Sequence, residues 1–328
     1  MKRFTISLII ITGLFLCLCM PATAAESGKT DLATLMITMD PSLTAPSGSG
    51  LVQAASVSDS YPITIEQAKN NIRVFAGNLS IEPELSYTFM LPVGTYYMFS
   101  VDSLSSYAVN QNSGVVEFAV MGENIPATDV ATLTRDEVYA KGTEFAQSKY
   151  EGFNQKNWKI TKETPYNMGW YRMNGTEEEY ISIPMYYFTL REESNHVLTP
   201  NVVVLLVNAV DGKTVYYGGI DRLLTVDLTP KITLAEAMAV AEEHFEYETT
   251  HVSAYLAVNT QPMNYQKLAW IVTMRGTHND HEHTESFVVD AITGDYSGSL
   301  YNVWPEGYVQ SSMQVMDSSY SSSEITGP

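Results

Sequence analysis

The spacing of hydrophobic residues changes three times along this chain from a helical period to a strand period. Each helical stretch has apolar residues three or four positions apart, and each following run alternates apolar and polar residues. The helical stretches begin at Thr64, Thr134 and Thr233. Glu137 and Glu236 stand three residues after the second and third threonines, which predicts two capping boxes. The pattern therefore predicts three helices, each beginning at a threonine N-cap.

Short strand-like runs follow every predicted helix and end in the same kind of turn. In residues 109–114, 207–212 and 289–294, a valine precedes Asn or Asp, and a glycine follows four residues later. An Asn or Asp side chain can bond the backbone two residues on, and glycine tolerates a positive φ. These endings are interpreted as turns, and this interpretation is favoured over a catalytic role for Asp290. The predicted strands cover residues 85–91, 95–101, 107–110, 115–120, 166–173, 183–191, 201–208, 214–217, 253–258, 268–275, 286–290 and 296–301.

The repeated order of one helix followed by strands predicts the fold class and the domains. The fold class is α+β, with tandem units of one helix packed on a three- or four-stranded antiparallel sheet. The units are expected at residues 62–125, 126–228 and 229–308. Residues 25–61 are predicted to form a flexible linker because they include a segment rich in Pro, Ser and Gly. The serine-rich residues 309–328 are predicted to be a disordered tail.

Residues 1–24 carry the features of a secretory signal peptide. Lys2 and Arg3 precede an apolar stretch, and small residues at positions 22 and 24 form a cleavage signal. The apolar stretch is too short for a comfortable membrane span, which takes about 20 residues. Cys17 and Cys19 open the alternative of lipid attachment, but leucines occupy the positions where that signal favours a small residue. We therefore expect a protein that is secreted or lies on the exterior of the cell envelope, with no stable membrane anchor.

The charge balance and the cysteine content restrict the function further. The chain has 18 basic and 37 acidic residues, a formal net charge of −19 at pH 7. Binding to nucleic acid requires a basic surface, so we expect no nucleic-acid partner. Both cysteines lie in the predicted signal peptide, so the mature chain would contain no disulfide and no thiol nucleophile. A secreted chain without disulfides must be stabilised by its own hydrophobic core.

The helix-start and turn motifs together resemble those of the PepSY family. The Thr-Leu-Ala-Glu-Ala sequence from Thr233 and the Val-Asp-Ala-Ile-Thr-Gly sequence from Val289 are similar to the usual start and ending of that family. The longer middle and last units also resemble the repeats of YcdB/YcdC-type secreted proteins. The first unit departs from the pattern with Gln67 in place of Glu, and Asn110 and Asn208 replace the Asp. The resemblance covers residues 62–301 and implies a PepSY-like α+β fold.

The resemblance also implies a regulatory protein without catalytic activity. PepSY units accompany secreted metallopeptidases, which they inhibit and help to fold, and they occur in standalone envelope proteins. The chain has no His-Glu-x-x-His motif, no nucleophile elbow and no phosphate-binding loop. We therefore expect no enzymatic activity, no catalytic residue and no cofactor. The expected function is binding of a protein or peptide partner, such as a secreted peptidase or an exported protein. A structural component of the envelope is an alternative.

Metal binding by residues 278–283 is the second alternative. His278, His281 and His283 lie between two predicted strands, and an extended backbone would place His281 and His283 on the same side. Imidazole groups bind Zn²⁺, Ni²⁺ and Cu²⁺, so these three histidines are a candidate site for a weakly bound divalent metal. A polar hairpin tip without any metal explains the same residues and is the favoured interpretation.

Aromatic residues are frequent in the predicted strands, as at positions 96–97, 186–188 and 216–217. Packing in the core is the favoured interpretation of these residues. The alternative is an outward aromatic surface that contacts a partner, with exposed sheet edges that accept an added strand. Asn78 and Asn174 begin N-glycosylation sequons, which matter only if the host glycosylates exported proteins.

Overall fold

The computed structural model describes residues 62–91, 93–102, 105–122, 128, 130–174, 177–261, 265–278 and 281–300. The predicted signal peptide, linker and tail therefore lie outside the described residues. The described helices are α1 (Ile65–Ala76), α2 (Arg135–Lys149) and α3 (Leu234–His244), with a 3-10 turn at Phe153–Gln155. None of these helices is long and apolar enough to cross a membrane. The strands are β1 (Glu84–Leu91), β2 (Gly94–Ser100), β3 (Ser105–Asn110), β4 (Val116–Met121), β5 (Trp158–Asn174), β6 (Glu177–Ser194), β7 (Val197–Asn208), β8 (Thr214–Ile220), β9 (Glu248–Gln261), β10 (Tyr265–His278), β11 (His281–Asp290) and β12 (Tyr296–Leu300).

The helix starts are confirmed, because α1, α2 and α3 all begin after the predicted threonines and have complete capping boxes. In α1, the backbone N–H of Thr64 donates to Oε1 of Gln67 at 2.8 Å. The backbone N–H of Gln67 donates in return to Oγ1 of Thr64 at 3.2 Å. An amide oxygen accepts a hydrogen bond as a carboxylate oxygen does, so the departure at position 67 leaves this cap intact. Gly77 ends α1 with a φ of 66°.

The predicted fold class of tandem, separate small sheets is wrong. The described strands form one 12-stranded mixed sheet in the order β1-β2-β3-β4-β8-β7-β9-β10-β11-β12, from which the β5–β6 hairpin branches through the pairing of β6 with β7. Strand β4 pairs antiparallel with β8, and β7 pairs in parallel with β9 through Val197 and Leu198. The edge of a small sheet leaves backbone N–H and C=O groups unpaired, and joining the edges satisfies these groups. Each helix still precedes four strands, but these strands belong to a shared sheet.

The centre of the sheet is covered on both faces, since every residue of β7 and β8 is buried. On one face, Ile72 of α1 and Val138 of α2 belong to the same hydrophobic cluster as Leu205 of β7. On the other face, Met168 of β5 and Leu206 of β7 share a cluster whose described members all lie in strands or their connections. Helix α3 packs on β10 and β11. Helices therefore cover one face of the central strands. Other strands of the same sheet, among them β2, β5 and β6, pack on the opposite face.

The three predicted Asn/Asp–Gly turns have the same hydrogen bonds. The Oδ1 atom of Asn110, Asn208 or Asp290 accepts a hydrogen bond from the backbone N–H two residues later. In each copy of the repeat, which consists of one helix and its four strands, the residue after the Asn or Asp also contacts the start of the helix. Its backbone carbonyl oxygen accepts a hydrogen bond from the backbone N–H of the residue before the threonine N-cap. The N–O distances are 2.8, 3.0 and 3.2 Å in the first, second and third copies. Each turn therefore fixes the start of a helix, and the structural interpretation of these residues is confirmed.

A buried ionic network joins the first two copies of the repeat. The carboxylate of Glu117 in β4 accepts hydrogen bonds from both terminal nitrogens of Arg222, each at 2.8 Å. Glu117 also accepts from the hydroxyl of Tyr96 at 2.6 Å and from the side-chain amide of Asn110 at 3.1 Å. Arg222 follows β8, and its guanidinium donates as well to the carbonyl oxygen of Val93. The network ties β2, β3 and β4 to the end of β8.

Candidate functional site

A groove lies between α1 and α2 on the helix-covered face of the sheet. Its floor consists of residues of β3, β4 and β8 and of the turn that joins β7 to β8, and its cavity volume is about 630 Å³. The C-terminal parts of the two helices form its walls. We name this cavity the α1–α2 groove. Grooves of this size are large enough for a small ligand or a few residues of a peptide.

Aromatic side chains form the apolar part of the α1–α2 groove. Phe75 lies in the last turn of α1, and its ring meets Phe145 of α2 edge-on at a centroid distance of 6.3 Å. The ring of Phe75 also meets Tyr107 of β3 at 6.1 Å. Phe75 and Phe145 are half-buried, whereas Tyr107 is buried. The exposed parts of the two phenylalanine rings offer apolar surface to a bound molecule.

Three lysines line the groove, and one of them lies against the aromatic rings. The Nζ atom of Lys149 lies 5.0 Å from the ring centroid of Phe75 and 5.5 Å from that of Phe145. It donates a hydrogen bond to the carbonyl oxygen of Phe75, and burial lowers the pKa of its ammonium group. Lys213 pairs with Asp211 at 3.1 Å. A Cβ atom at Gly212 would lie 2.0 Å from Cδ of Lys141, so the aliphatic part of the Lys141 side chain packs directly on the turn at Gly212.

Two buried side-chain atoms at the ends of β7 and β8 have no hydrogen-bond partner among the described residues. They are Nδ2 of Asn208 and Oγ1 of Thr214. Asn208 is fully buried, and Thr214 is 8% exposed. Oδ1 of Asn208 accepts a hydrogen bond from the N–H of Val210 at 2.7 Å, so the turn uses only the oxygen of this amide. Thr214 pairs with Val207 on the helix-covered face, and Asn208 pairs with Met185 on the other face. Of these two atoms, therefore, only the Thr214 hydroxyl lies on the side of the groove.

Replacing Thr214 with valine is expected to raise the free energy of unfolding by about 1 kcal/mol, because burying a hydroxyl without a partner is destabilising by roughly 1–3 kcal/mol. Valine has nearly the same shape and carries no polar group. Urea denaturation of the purified protein measures the change. Thr189→Val is the matched control, since the buried Thr189 hydroxyl donates to the Tyr187 hydroxyl at 2.9 Å and its loss should be destabilising. A Thr214→Val variant that is less stable than the unsubstituted protein would show that the Thr214 hydroxyl does have a hydrogen-bond partner.

The three histidines predicted as a metal site lie at one hairpin. His278 ends β10, His281 begins β11, and the two residues pair across the hairpin. His281 is exposed, whereas the ring of His283 stacks on Tyr247 with 4.2 Å between centroids. Within the part of the chain that the structure describes, no group of three His, Cys, Asp or Glu side chains could hold a metal ion. Metal binding by these histidines stays a prediction.

The alternative prediction of an outward aromatic surface is wrong for most of the residues concerned. Tyr96, Tyr187, Phe188, Tyr216 and Tyr217 are buried, which confirms core packing. Fewer sheet edges are open than three separate sheets would have. Strand β4 pairs with β8, and β9 pairs with β7, in the common sheet. Among the described strands, β1, β5 and β12 pair on one side only. The structure therefore places the stronger candidate site in a groove between helices.

The motifs of the sequence identify Asn208 only as a turn residue and miss the rest of the α1–α2 groove. Thr214 gives a weak signal, because it is a polar residue at the start of a strand that is otherwise apolar or glycine. Asn78, the first sequon residue, is exposed just after α1 and lines the groove, and Asn174 ends β5. Glycosylation of either asparagine stays a prediction.

Comparison with known proteins gives a structural neighbour but no family. No family model matches the chain, and no curated protein matches it. The C-terminal domain of YpeB from Bacillus megaterium is a structural neighbour, with a TM-score of 0.38 and 15% sequence identity over 73% of this chain and 97% of that chain. That domain is PepSY-related. A similarity this weak carries no argument about function, and membership of the PepSY family stays a prediction.

Proposed function

We propose that this protein is a secreted, non-catalytic binding module that holds a segment of a partner protein in the α1–α2 groove. The observation that carries this proposal is a single cavity in which half-exposed aromatic rings lie beside lysine side chains. Ligand pockets typically combine apolar walls with a few convergent polar groups. The lysines would orient the ligand, and the aromatic rings would provide most of the buried apolar area.

The charged groups of the groove favour binding over catalysis. Lys213 and Asp211 form an ion pair, and Lys149 is held by a backbone carbonyl and two aromatic rings. A general base or a nucleophile needs a neighbouring group that activates it, as in a nucleophile–base–orienting group arrangement. The lysines of this groove have positions suited to attracting an anionic group. The proposed role is therefore recognition.

The finer proposal concerns the kind of partner. The resemblance of the helix-start and turn motifs to PepSY units favours a secreted peptidase that this protein restrains, or an exported protein that it helps to fold. The absence of cysteine after residue 24 agrees with a module that folds by core packing alone. The site of contact would be the α1–α2 groove, and the outer strands of the sheet would extend the interface.

A tryptophan at the exposed Ser148 is expected to fill the α1–α2 groove and abolish partner binding. Ser148 lines the groove, whereas the adjacent exposed residue Gln147 does not. Gln147→Trp is therefore the matched control, with the same added side chain on the same helix. The unsubstituted protein and both variants are used to capture secreted and envelope proteins of the host, and the captured proteins are compared by quantitative mass spectrometry. The best candidate is then purified, and its affinity for each variant is measured by calorimetry.

The proposal predicts a partner that binds the unsubstituted protein and Gln147→Trp equally and binds Ser148→Trp at least about tenfold more weakly. A purified partner that binds all three proteins equally would place the interface elsewhere and overturn the proposal. Recovery of no specific partner by any of the three would also count against it. Thermal denaturation of both variants verifies that they are folded.

A further inference from the structure

We infer that β12 binds a second molecule of this chain, by pairing antiparallel with the β12 strand of that molecule around a two-fold axis at Ser299. Two molecules would then share one continuous sheet. The lining of the α1–α2 groove comes from the first two copies of the repeat, whereas β12 belongs to the third. Dimerisation therefore uses a different surface from the proposed function and is tested separately from it.

The fourth strands of the first two copies, β4 and β8, pair with each other symmetrically. At the middle of this antiparallel pairing, Ala119 lies opposite Tyr217, with one further residue pair on each side. Ala119 stands nine residues after Asn110, and Tyr217 stands nine residues after Asn208, so the two residues occupy the same place in their copies. The junction of β4 with β8 therefore has a local pseudo-two-fold axis, around which two equivalent strands meet through equivalent positions.

Strand β12 is the equivalent strand of the third copy. In all three copies the third and fourth strands pair through a register shift at the same place. The residue nine positions after Asp290 is Ser299, which therefore corresponds to the residues at the pseudo-two-fold axis. Among the described strands, β12 pairs only with β11. The edge through which β4 and β8 join each other is thus open in β12.

The sequence of β12 does not protect this open edge. Tyr296–Leu300 contains neither a charged residue nor a proline, which are the usual means of preventing an edge strand from pairing. Its register shift also occurs in β4 and β8, which pair nevertheless. The edge can therefore accept a strand, and the internal precedent is another fourth strand. The same register would place Ser299 opposite Ser299 and Gly298 opposite Leu300 of the second molecule.

The helices beside these strands support the same pairing. Phe75 and Phe145 each stand eleven residues after the threonine N-cap of their helix, and their rings meet across the β4–β8 junction at 6.3 Å. The third copy has His244 at this position. His244 is exposed, and its ring stacks at 3.9 Å on that of Tyr296, which is 37% exposed. This aromatic pair beside an open edge is a surface that a second molecule would cover.

The dimer is expected to be weak and to become tighter as salt is added. The paired strands are short, so we expect a Kd of about 10–100 μM at physiological salt. Each molecule carries a formal net charge of −19, so two molecules repel each other. Salt screens this repulsion and leaves the pairing of neutral backbone groups unchanged, so the Kd should fall at least about threefold near 0.5 M salt. Sedimentation velocity over a range of protein concentrations measures both values.

Single cysteines test the position of the two-fold axis. The chain has no cysteine after residue 19, so one introduced thiol in the predicted mature protein reports on a single position. Ser299→Cys would place two thiols on directly opposed residues, whose Cβ atoms lie about 4.5–5.5 Å apart and come within reach of a disulfide. Ser297→Cys is the matched control, because its equivalent in the second molecule would lie about 13 Å away along the strands. With oxidised glutathione, which is reduced as the disulfide forms, Ser299→Cys should cross-link at least about tenfold faster.

A charge at the axis tests the same contact without a covalent bond. Ser299→Asp would bring two carboxylates directly opposite each other, and like charges in opposed positions weaken strand pairing. We expect its Kd for dimerisation to be about fivefold higher than that of Ser299→Asn, which has the same shape without the charge. Sedimentation velocity compares the two variants, and thermal denaturation verifies that both are folded.

Several results would overturn the dimer through β12. A protein that stays monomeric up to about 1 mM would leave this edge to residues 301–328 or to a different protein. Equal cross-linking of Ser299→Cys and Ser297→Cys, or equal dimerisation of Ser299→Asp and Ser299→Asn, would place the contact elsewhere. None of these results affects the α1–α2 groove, whose role is decided by the effect of Ser148→Trp on partner binding.

Discussion

Replacing Arg222 with alanine is expected to lower the free energy of unfolding by about 3–5 kcal/mol, the usual effect of removing one partner of a buried ion pair. The side chain of Glu117 is only 3% exposed, and Arg222 provides two of its four hydrogen bonds. Without the guanidinium, the carboxylate of Glu117 would remain buried with only the neutral donors Tyr96 and Asn110. Two neutral donors do not compensate a buried negative charge.

Urea denaturation of Arg222→Ala measures this loss, and Lys69→Ala is its control. Lys69 pairs with Glu66 at 3.3 Å, and their side chains are 25% and 77% exposed, so this pair at the surface of α1 should contribute less than about 0.5 kcal/mol. Combining Arg222→Ala with Glu117→Gln removes the uncompensated charge and should recover part of the stability. A loss for Arg222→Ala no larger than that for Lys69→Ala would contradict the importance of the network.

Replacing Phe188 with alanine is expected to lower the free energy of unfolding by about 3–5 kcal/mol, the usual range for a phenylalanine deleted from a packed core. Phe188 of β6 is fully buried, and its ring contacts Tyr139 of α2 edge-on at 5.2 Å. The cavity left behind would weaken the contact between α2 and the sheet. Since α2 forms one wall of the α1–α2 groove, partner affinity should fall together with stability.

The stability of Phe188→Ala is measured by urea denaturation, and its partner affinity by calorimetry at a temperature where the variant is folded. Tyr265→Ala serves as the control, because Tyr265 is 61% exposed and its removal should change the stability by less than about 0.5 kcal/mol. A small effect of Phe188→Ala would show that α2 is anchored mainly by other contacts.

The sequence identifies the features of this fold that are local. A capping box involves residues three positions apart, and a turn with Asn or Asp followed by Gly spans six, so Thr134 and Gly294 can be interpreted without knowing the rest of the molecule. The alternation of apolar residues identifies the strands for the same reason. Asp290 likewise follows its local chemistry, and its side chain caps the turn as expected.

Sheet pairing and the candidate site depend on contacts between distant parts of the chain. Nothing in the pattern of β4 indicates that its free edge meets β8 about a hundred residues later, because any strand edge offers the same backbone groups. The α1–α2 groove brings together Phe75, Tyr107, Phe145 and Asn208 from four separate elements. The missing partner of Asn208 is evident only when the neighbours of its side chain are known.

The short pairing of β7 with β9 determines which part of the sheet should unfold first. This junction consists of two residue pairs, Val197 with Leu256 and Leu198 with Ala257. The junction between β4 and β8 has three pairs and is reinforced by the ion pair of Glu117 with Arg222. We therefore expect β9–β12 to separate from the rest of the sheet first, between β7 and β9, when the protein is pulled mechanically or unfolds locally before proteolysis. The α1–α2 groove lies in the part of the sheet that stays folded, so that part would keep its binding surface.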